Sequence, residues 1–416
     1  MKRSGGSGPR GLLLVRRPTD PAGTAELQRR AAGAPPPISD VVPALGHFGL
    51  RVLSGRSEAQ GRGHLQHFTV DGLGPASRDA RLAEAIAECL EGRAEDDGYN
   101  RLVASVGCTL REVQWFRALC RYLAQVGITP GAGDWGTLLS RHAAVVEALL
   151  RRQPLRRLEP LLAAVGQPEE ERLLRCLAEL SAAIVRSNAA DRDGPPLPAL
   201  ALKLAPRDLS WLPSPRPLHE IWVHGARLEG VHLRMADVAR GGIRWSERPA
   251  DFRAEVLGLM KTQHVKNAVI VPQGAKGGFV LRRPPAGRSA LQAEGIAAYE
   301  LFINALLDVT DDLGGPDPYL VVAADKGTAR FSDRANAIAL RRGFWLGDAF
   351  ASGGSVGYDH KALGITARGA WECVTRHFAE MGRDISREEF TVAGIGDMSG
   401  DVFGNGMLLS PHIRLV

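Results

Sequence analysis

The chain has 416 residues, 44% of them hydrophobic and 24% charged, which suits a globular protein of roughly two to four domains. No window approaches the ~18 uninterrupted apolar residues of a membrane helix, and the five cysteines (Cys89, Cys108, Cys120, Cys176, Cys373) form no C-x-x-C pair, so neither a disulfide framework nor a metal site is expected. The net charge of +6 is spread over helix-like segments such as Arg151-Arg152 and Arg341-Arg342, without a basic block interleaved with aromatics, which argues against nucleic acid as a partner.

The basic start Met1-Lys-Arg is followed by only a short apolar run, Leu12–Val15, too brief for a signal-peptide core, so a cytoplasmic protein is expected. Residues 1–75 read as a small α+β module. Ser39 or Asp40 is placed to cap a helix through Val41, Val42, Leu45 and Phe48, with Pro43 in its first turn and Gly49 at its end. Leu50–Leu53 and His64–Val70 follow as paired strands, a helix–strand–strand unit that resembles an ACT-type regulatory domain. Residues 76–205 change to helical period, with apolar stripes at Leu82/Ile86/Leu90, Val113/Phe116/Leu119 and Val145/Leu149/Leu150. This stretch is expected to be a connector or assembly region, and the prolines at 195–198 and 213–217 mark its end. Residues 206–385 alternate strands (221–223, 231–234, 268–271, 319–322) with helices (250–266, 289–312, 332–346, 364–381), predicting an α/β domain. A further strand at 391–393 opens the last segment, 386–416.

Only seven of the 52 basic residues are lysine, and four of them lie between Lys261 and Lys326. Arginine stays protonated, whereas a desolvated lysine can lose its proton and act in catalysis. On the helix 250–266, Val256, Leu259 and Met260 form the buried stripe, and Gln263 and Lys266 continue it: they point either into a cleft or, for Lys266, out to solvent at the helix end. Gly274-Ala-Lys276-Gly-Gly278 lacks the P-loop spacing, and reads either as a turn that a ligand approaches closely or as a plain glycine-rich turn. Gly241-Gly242 leaves the same two readings, and Arg240 with Arg244 would suit a carboxylate. Asp325 ends an apolar strand, where it either faces a ligand crevice or caps a turn. The strand into Gly394-Ile-Gly396, with Ser399 where a third small residue sits, approximates a dinucleotide fingerprint or is an ordinary strand–helix turn.

In this order, Gly-Gly-Ile-Arg, Gln-x-x-Lys-Asn-Ala, Gly-Ala-Lys-Gly-Gly, Ala-Asp-x-Gly and a G-x-G turn, the motifs from about Ile221 to Leu409 resemble the catalytic region of glutamate dehydrogenases, in particular the very large NAD-specific bacterial type. The resemblance implies oxidative deamination of L-glutamate to 2-oxoglutarate and ammonia, NAD as cofactor, and a homo-oligomer. It assigns Lys276 as the catalytic lysine and Asp325 as the proton-transfer carboxylate. Gln263 and Lys266 would hold the α-carboxylate, Arg240 with Gly241 and Gly242 the side-chain carboxylate, and Gly394, Gly396 and Ser399 the nucleotide. The small glutamate dehydrogenases carry lysine where Arg240 stands, so a dehydrogenase of another amino acid is the alternative. Residues 386–416 would be the start of a truncated Rossmann domain, so the chain is expected to be a fragment, inactive by itself. A non-catalytic regulatory or assembly partner is the third reading.

Overall fold

The computed structural model describes residues 11–16, 21, 23–32, 37–60, 63–74, 79–131, 133–189, 191, 194–266, 274–358, 360–394, 398 and 400–416, with the side chains of residues 31, 32, 263–266 and 360 outside that description. The chain forms two compact units, Met1–Val321 with Asp325–Thr328, and Val322–Ala324 with Ala329–Val416.

The first unit opens with strands β1 (Leu12–Val15) and β2 (Ala25–Ala32), helix α1 (Ile38–His47), and strands β3 (Arg51–Gln60) and β4 (Gly63–Asp71). The strands form an antiparallel sheet in the order β1-β2-β4-β3. Its core gathers Leu27, Phe68 and Val70 with Val41, Leu45 and Phe48. The helix begins at Ile38, behind Pro37, and no side chain caps it, so Ser39 and Asp40 lie inside its first turn. Proline's fixed φ starts the helix in place of a hydroxyl or carboxylate cap.

Helices α2 (Asp79–Leu90), α3 (Arg101–Ser105), α4 (Leu110–Gln125), α5 (Trp135–Arg141), α6 (Ala143–Leu150), α7 (Leu155–Ala163) and α8 (Pro168–Ala182) follow. The central one, α4, starts with a reciprocal capping box between Thr109 and Glu112. It is buried nearly all round, as expected of a helix enclosed by others.

The second sheet of this unit contains β5 (Ile184–Ser187), β6 (Leu200–Leu204), β7 (His219–His224), β8 (Leu228–Arg234), β9 (Gly241–Trp245) and β10 (Ala275–Leu281), with α9 (Phe252–Lys266) between the last two and α10 (Arg288–Asp308) after them. These strands run in the order β9-β10-β8-β7-β6-β5; β9 and β10 are parallel and the other neighbours antiparallel. Successive residues of a strand face opposite sides, and the two faces are covered differently. Trp222 on one face stacks on Phe252 of α9 and meets Tyr122 of α4 edge-on, while its indole N–H donates to the Ala118 carbonyl at 2.9 Å. On the other face Phe279 packs against Tyr299 and Phe302 of α10. Helix α9 buries Phe252, Val256, Leu257 and Met260, whereas Leu259 is only half-buried: the stripe is set by contact with β10 and lies closer to Leu257 than period alone indicates.

The second unit holds β11 (Val322–Ala324), α11 (Ser332–Arg341), α12 (His360–Leu363), α13 (Ile365–Glu380), β12 (Phe390–Val392) and β13 (Ile413–Leu415). Strands β12 and β13 pair in parallel, and Phe390 packs against Trp371 and Phe378 of α13. The strand expected at 319–322 starts only at Val322, and the one expected at 268–271 falls outside the described residues. Among the described residues after Gly394, a π-type turn Asp401–Asn405 and a 3₁₀ turn Gly406–Leu408 form in place of a regular helix. Glycines at 404 and 406 remove the side chains that would favour a regular α-helix, consistent with its absence.

Candidate active site

Both glycine-rich motifs form strands, which corrects the reading of Gly274–Gly278 as a turn. The reason lies in the packing around them. A Cβ on Gly241 would fall 1.6 Å from the Ala275 carbonyl oxygen, and one on Gly278 would fall 2.6 Å from Cγ2 of Val256 on α9. Glycine here serves close approach of strand to strand and of helix to sheet. Lys276 therefore sits on a fully buried strand, 5% exposed, opposite Leu233 of β8. In the neighbouring register Gly278 pairs with Arg244 of β9. Lys276, Gly278 and Arg244 thus share the sheet face beneath α9.

Asp325 reaches this face from a turn clipped onto β9. The Trp245 amide donates to the Lys326 carbonyl at 3.0 Å, and the Thr328 hydroxyl donates to the Ile243 carbonyl at 2.6 Å while accepting from the Asp325 amide at 3.0 Å. Gly327 adopts φ +84, and a Cβ there would lie 2.8 Å from that of Trp245, so only glycine closes the turn comfortably. Lys276 Nζ lies 2.8 Å from Asp325 Oδ2, and Arg244 Nε donates to the same oxygen at 3.0 Å. Burial by itself would raise the Asp325 carboxyl; the hydrogen bonds from Lys276 and Arg244, the lysine charge and the Lys326 amide outweigh it and hold the group below the usual carboxylate range.

Arg244 extends the chain of charges. Its other arm donates to Glu255 Oε1 at 2.9 Å, and the Ser246 hydroxyl donates to Glu255 Oε2 at 2.5 Å. The sequence reading grouped Arg244 with Arg240 as partners for a bound carboxylate; the structure instead commits Arg244 to two carboxylates of the protein. Arg240, at the mouth of β9 and bridged to Gly274, is exposed and makes no ion pair among the described residues. Glu255, Ser246 and Thr328 were not anticipated. The signal was present in Ser246 and Glu255, nine positions apart across the strand–helix connection, but only the fold brings them together.

Gly242 is buried in β9 beside Gly241. Gln263 and Lys266 occupy the last turn of α9, and their side chains lie outside the described residues. In the second unit Gly394 follows β12, and a Cβ on it would fall 2.4 Å from the Phe403 ring; Gly396 and Ser399 lie outside the described residues. Among the described residues no group of three or more His, Cys, Asp or Glu could hold a metal ion, and no helix is long and apolar enough to cross a membrane. A cavity of about 600 Å³ bounded by Leu149, Leu155, Ala178 and Val185 shares no residue with the lysine–carboxylate cluster.

The cluster defines a class: a sheet-borne lysine under a helix, ion-paired to a carboxylate on a turn, with an exposed arginine at the strand mouth. Residues 157–416 match the family described as bacterial NAD-glutamate dehydrogenase, catalytic domain, and residues 94–153 match glutamate dehydrogenase helical motif 3. The chain belongs to the bacterial NAD-glutamate dehydrogenase family. It is 46% identical to the NAD-specific glutamate dehydrogenase of Mycobacterium tuberculosis over 97% of its own length and 29% of that protein. The Halomonas elongata enzyme of the same description is also 46% identical, over 98% of this chain and 28% of that protein. Glutamate dehydrogenase 2 of Dictyostelium discoideum is 28% identical over 47% of this chain and 20% of its own length. The chain thus spans under a third of the length of the curated relatives named first.

Proposed function

We propose that this chain carries the substrate-side machinery of an NAD-dependent glutamate dehydrogenase, converting L-glutamate, NAD⁺ and water to 2-oxoglutarate, ammonium and NADH with release of a proton. The observation that carries the reading is the 2.8 Å pair between buried Lys276 and Asp325. A lysine fixed on a strand can polarise the carbonyl or imine at the reacting carbon and orient the attacking water, and a carboxylate beside it can take up and return the proton. Arg240 is the candidate anchor for the substrate side-chain carboxylate, at the end of the strand that Gly241 and Gly242 begin. Gln263 and Lys266 are the candidate anchors for the α-carboxylate.

NAD, when bound, supplies the hydride acceptor. Gly394, Gly396 and Ser399 would hold it, and the parallel pairing of β12 with β13 supports the start of a Rossmann domain at residues 386–416. The four-stranded sheet with its helix supports an ACT-like module at residues 1–75, followed by a helical connector over 76–205 and a substrate domain over 206–385. A cytoplasmic homo-oligomer completes the proposal.

The test is glutamate-dependent NADH formation by the full-length protein that contains this sequence. Lys276→Ala is expected to lower kcat by roughly a hundredfold to ten-thousandfold while NAD binding persists. A near-normal kcat would sink the lysine assignment. Turnover of aspartate, leucine or phenylalanine in place of glutamate would redirect the substrate reading, with Arg240 as the residue to re-examine.

A further inference from the structure

We infer that Arg244 is a positioning residue: clamped by Glu255, its guanidinium fixes the Asp325 carboxylate and stays on it when Lys276 turns to substrate. The inference rests on the dehydrogenase reading above and concerns how the same site is held.

Lys276 and Arg244 converge on one oxygen of Asp325, at 2.8 and 3.0 Å. In the proposed reaction the lysine must serve the substrate, so its bond to Asp325 is the one that is spent. Without a second donor the carboxylate would then swing on its turn, and proton transfer is steeply sensitive to such misplacement. Arg244 supplies that donor from a rigid element. It stands on β9, in register with Gly278 of β10, and the Asp325 turn is itself clipped to β9 at Ile243 and Trp245. Donor and acceptor therefore hang on the same strand.

Glu255 makes the arrangement selective. Its two oxygens are both engaged, one by Arg244 at 2.9 Å and one by Ser246 at 2.5 Å, so it holds the guanidinium in a single pose from the first turns of α9. It also balances the arginine charge, leaving an alternating row: Lys276 positive, Asp325 negative, Arg244 positive, Glu255 negative. A planar fork is suited to bridging two carboxylates in fixed directions; an ammonium is a point charge and would not reproduce it. This engagement also removes Arg244 from the candidates for substrate binding and leaves Arg240, which is exposed and makes no ion pair among the described residues.

The experiment uses the full-length protein containing this sequence, with wild type, Arg244→Ala, Arg244→Lys and Glu255→Gln compared for glutamate oxidation across pH. For Arg244→Ala, kcat is expected to fall roughly tenfold to a hundredfold, less than the loss of a transfer group itself, with glutamate KM within about threefold. Removing a cation beside Asp325 raises its proton affinity, so the acid limb of kcat should move up by about one pH unit. Arg244→Lys should restore the acid limb while kcat stays lowered, because charge returns and the fork does not. Glu255→Gln should lower kcat without moving the limb upward.

A rise in glutamate KM at unchanged kcat would mean that Arg244 touches substrate, which overturns the proposal. So would equal kcat losses in the Ala and Lys variants with no movement of the acid limb, the signature of a purely structural role. If Arg244→Ala does not fold, Arg244→Lys and Glu255→Gln decide, and wild-type kcat in both overturns it. A wild-type protein inactive on glutamate defeats the dehydrogenase reading instead; an active wild type with unaffected variants defeats only the role of Arg244.

Discussion

Glycine decides more at this site than its small size suggests. The added methyl of Gly278→Ala would meet Val256 Cγ2 at 2.6 Å, whereas that of Gly241→Ala would meet a backbone carbonyl at 1.6 Å. The two substitutions should therefore differ in whether they can be rescued. Gly278→Ala is expected to destabilise by about 1–3 kcal/mol through overpacking, and a second change, Val256→Ala, should recover part of that. Gly241→Ala should cost more, and no side-chain change should recover it, since Ala275 offers its main chain to the clash. Thermal melts of Gly278→Ala and Gly241→Ala, each with and without Val256→Ala, compared with wild type check both statements. Equal losses and equal rescue would mean that β9 and α9 relax freely here. The same two residues explain why Lys276 was legible as a candidate but not its setting. Glycines on either side of a lysine read locally as a loop, and only the partners across the sheet, Leu233 of β8 and Arg244 of β9, turn the motif into a buried strand.

At the scale of elements, helices were readable wherever their apolar residues recur at one period, as at Val113, Phe116 and Leu119 of α4, all fully buried. The strands β1 and β2 gave no such signal: Ala25–Ala32 carries Glu26, Gln28, Arg29 and Arg30 among its residues, and its order comes from pairing with β4. What joins elements was least legible, because the partners are polar and far apart in sequence. Buried His224 of β7 lies between Glu95 at 3.2 Å and Glu229 of β8 at 3.3 Å, and Arg121 of α4 donates to both Glu229 oxygens at 2.7 and 2.9 Å. Burial would raise Glu229, but His224 and Arg121 outweigh it and bring the carboxyl down to about 2. Glu95 is lowered as well: burial opposes the shift, and His224, Arg117 and Arg282 overcome it. A carboxyl lowered by folding stabilises the fold above its unfolded value of roughly 4.3, and that contribution is lost as pH falls towards the folded value. Stability should therefore drop on acidification from about pH 5 towards 3. Glu229→Gln should be less stable at pH 7 and lose less on acidification. Parallel pH–stability curves for the two proteins would contradict this origin of the acid sensitivity.

Across the whole first unit, one hydrophobic core runs from Leu12 and Leu27 in the N-terminal sheet, through α2, α4 and α8, to Phe252 of α9 and to Trp222 and Val280 of the second sheet. Buried charge crosses the same junction. Arg253 of α9 meets Glu220 of β7 at 2.7 and 2.8 Å, and the Tyr122 hydroxyl of α4 donates to Glu220 at 3.1 Å beneath the Arg253 guanidinium. Helices and second sheet are thus joined through side chains that neither can satisfy alone, since a buried ion pair stripped of one partner costs about 3–5 kcal/mol. Folding of the helical region and of the strands that carry Lys276 should consequently be one cooperative event. Trp222, stacked on Phe252 and hydrogen-bonded to Ala118, is the side chain at the centre of the junction. Trp222→Ala is expected to cost roughly 3–5 kcal/mol, and amide exchange should accelerate together in α4, β7, β8 and β10. Loss of protection confined to the sheet, with α4 unchanged, would show instead that the helices fold independently. In that case the geometry around Asp325 would owe nothing to them. If protection is lost in concert, a ligand or partner that tightens the helices shifts the folding equilibrium of the sheet by the same free energy, a route by which the helical region can reach the lysine without touching it.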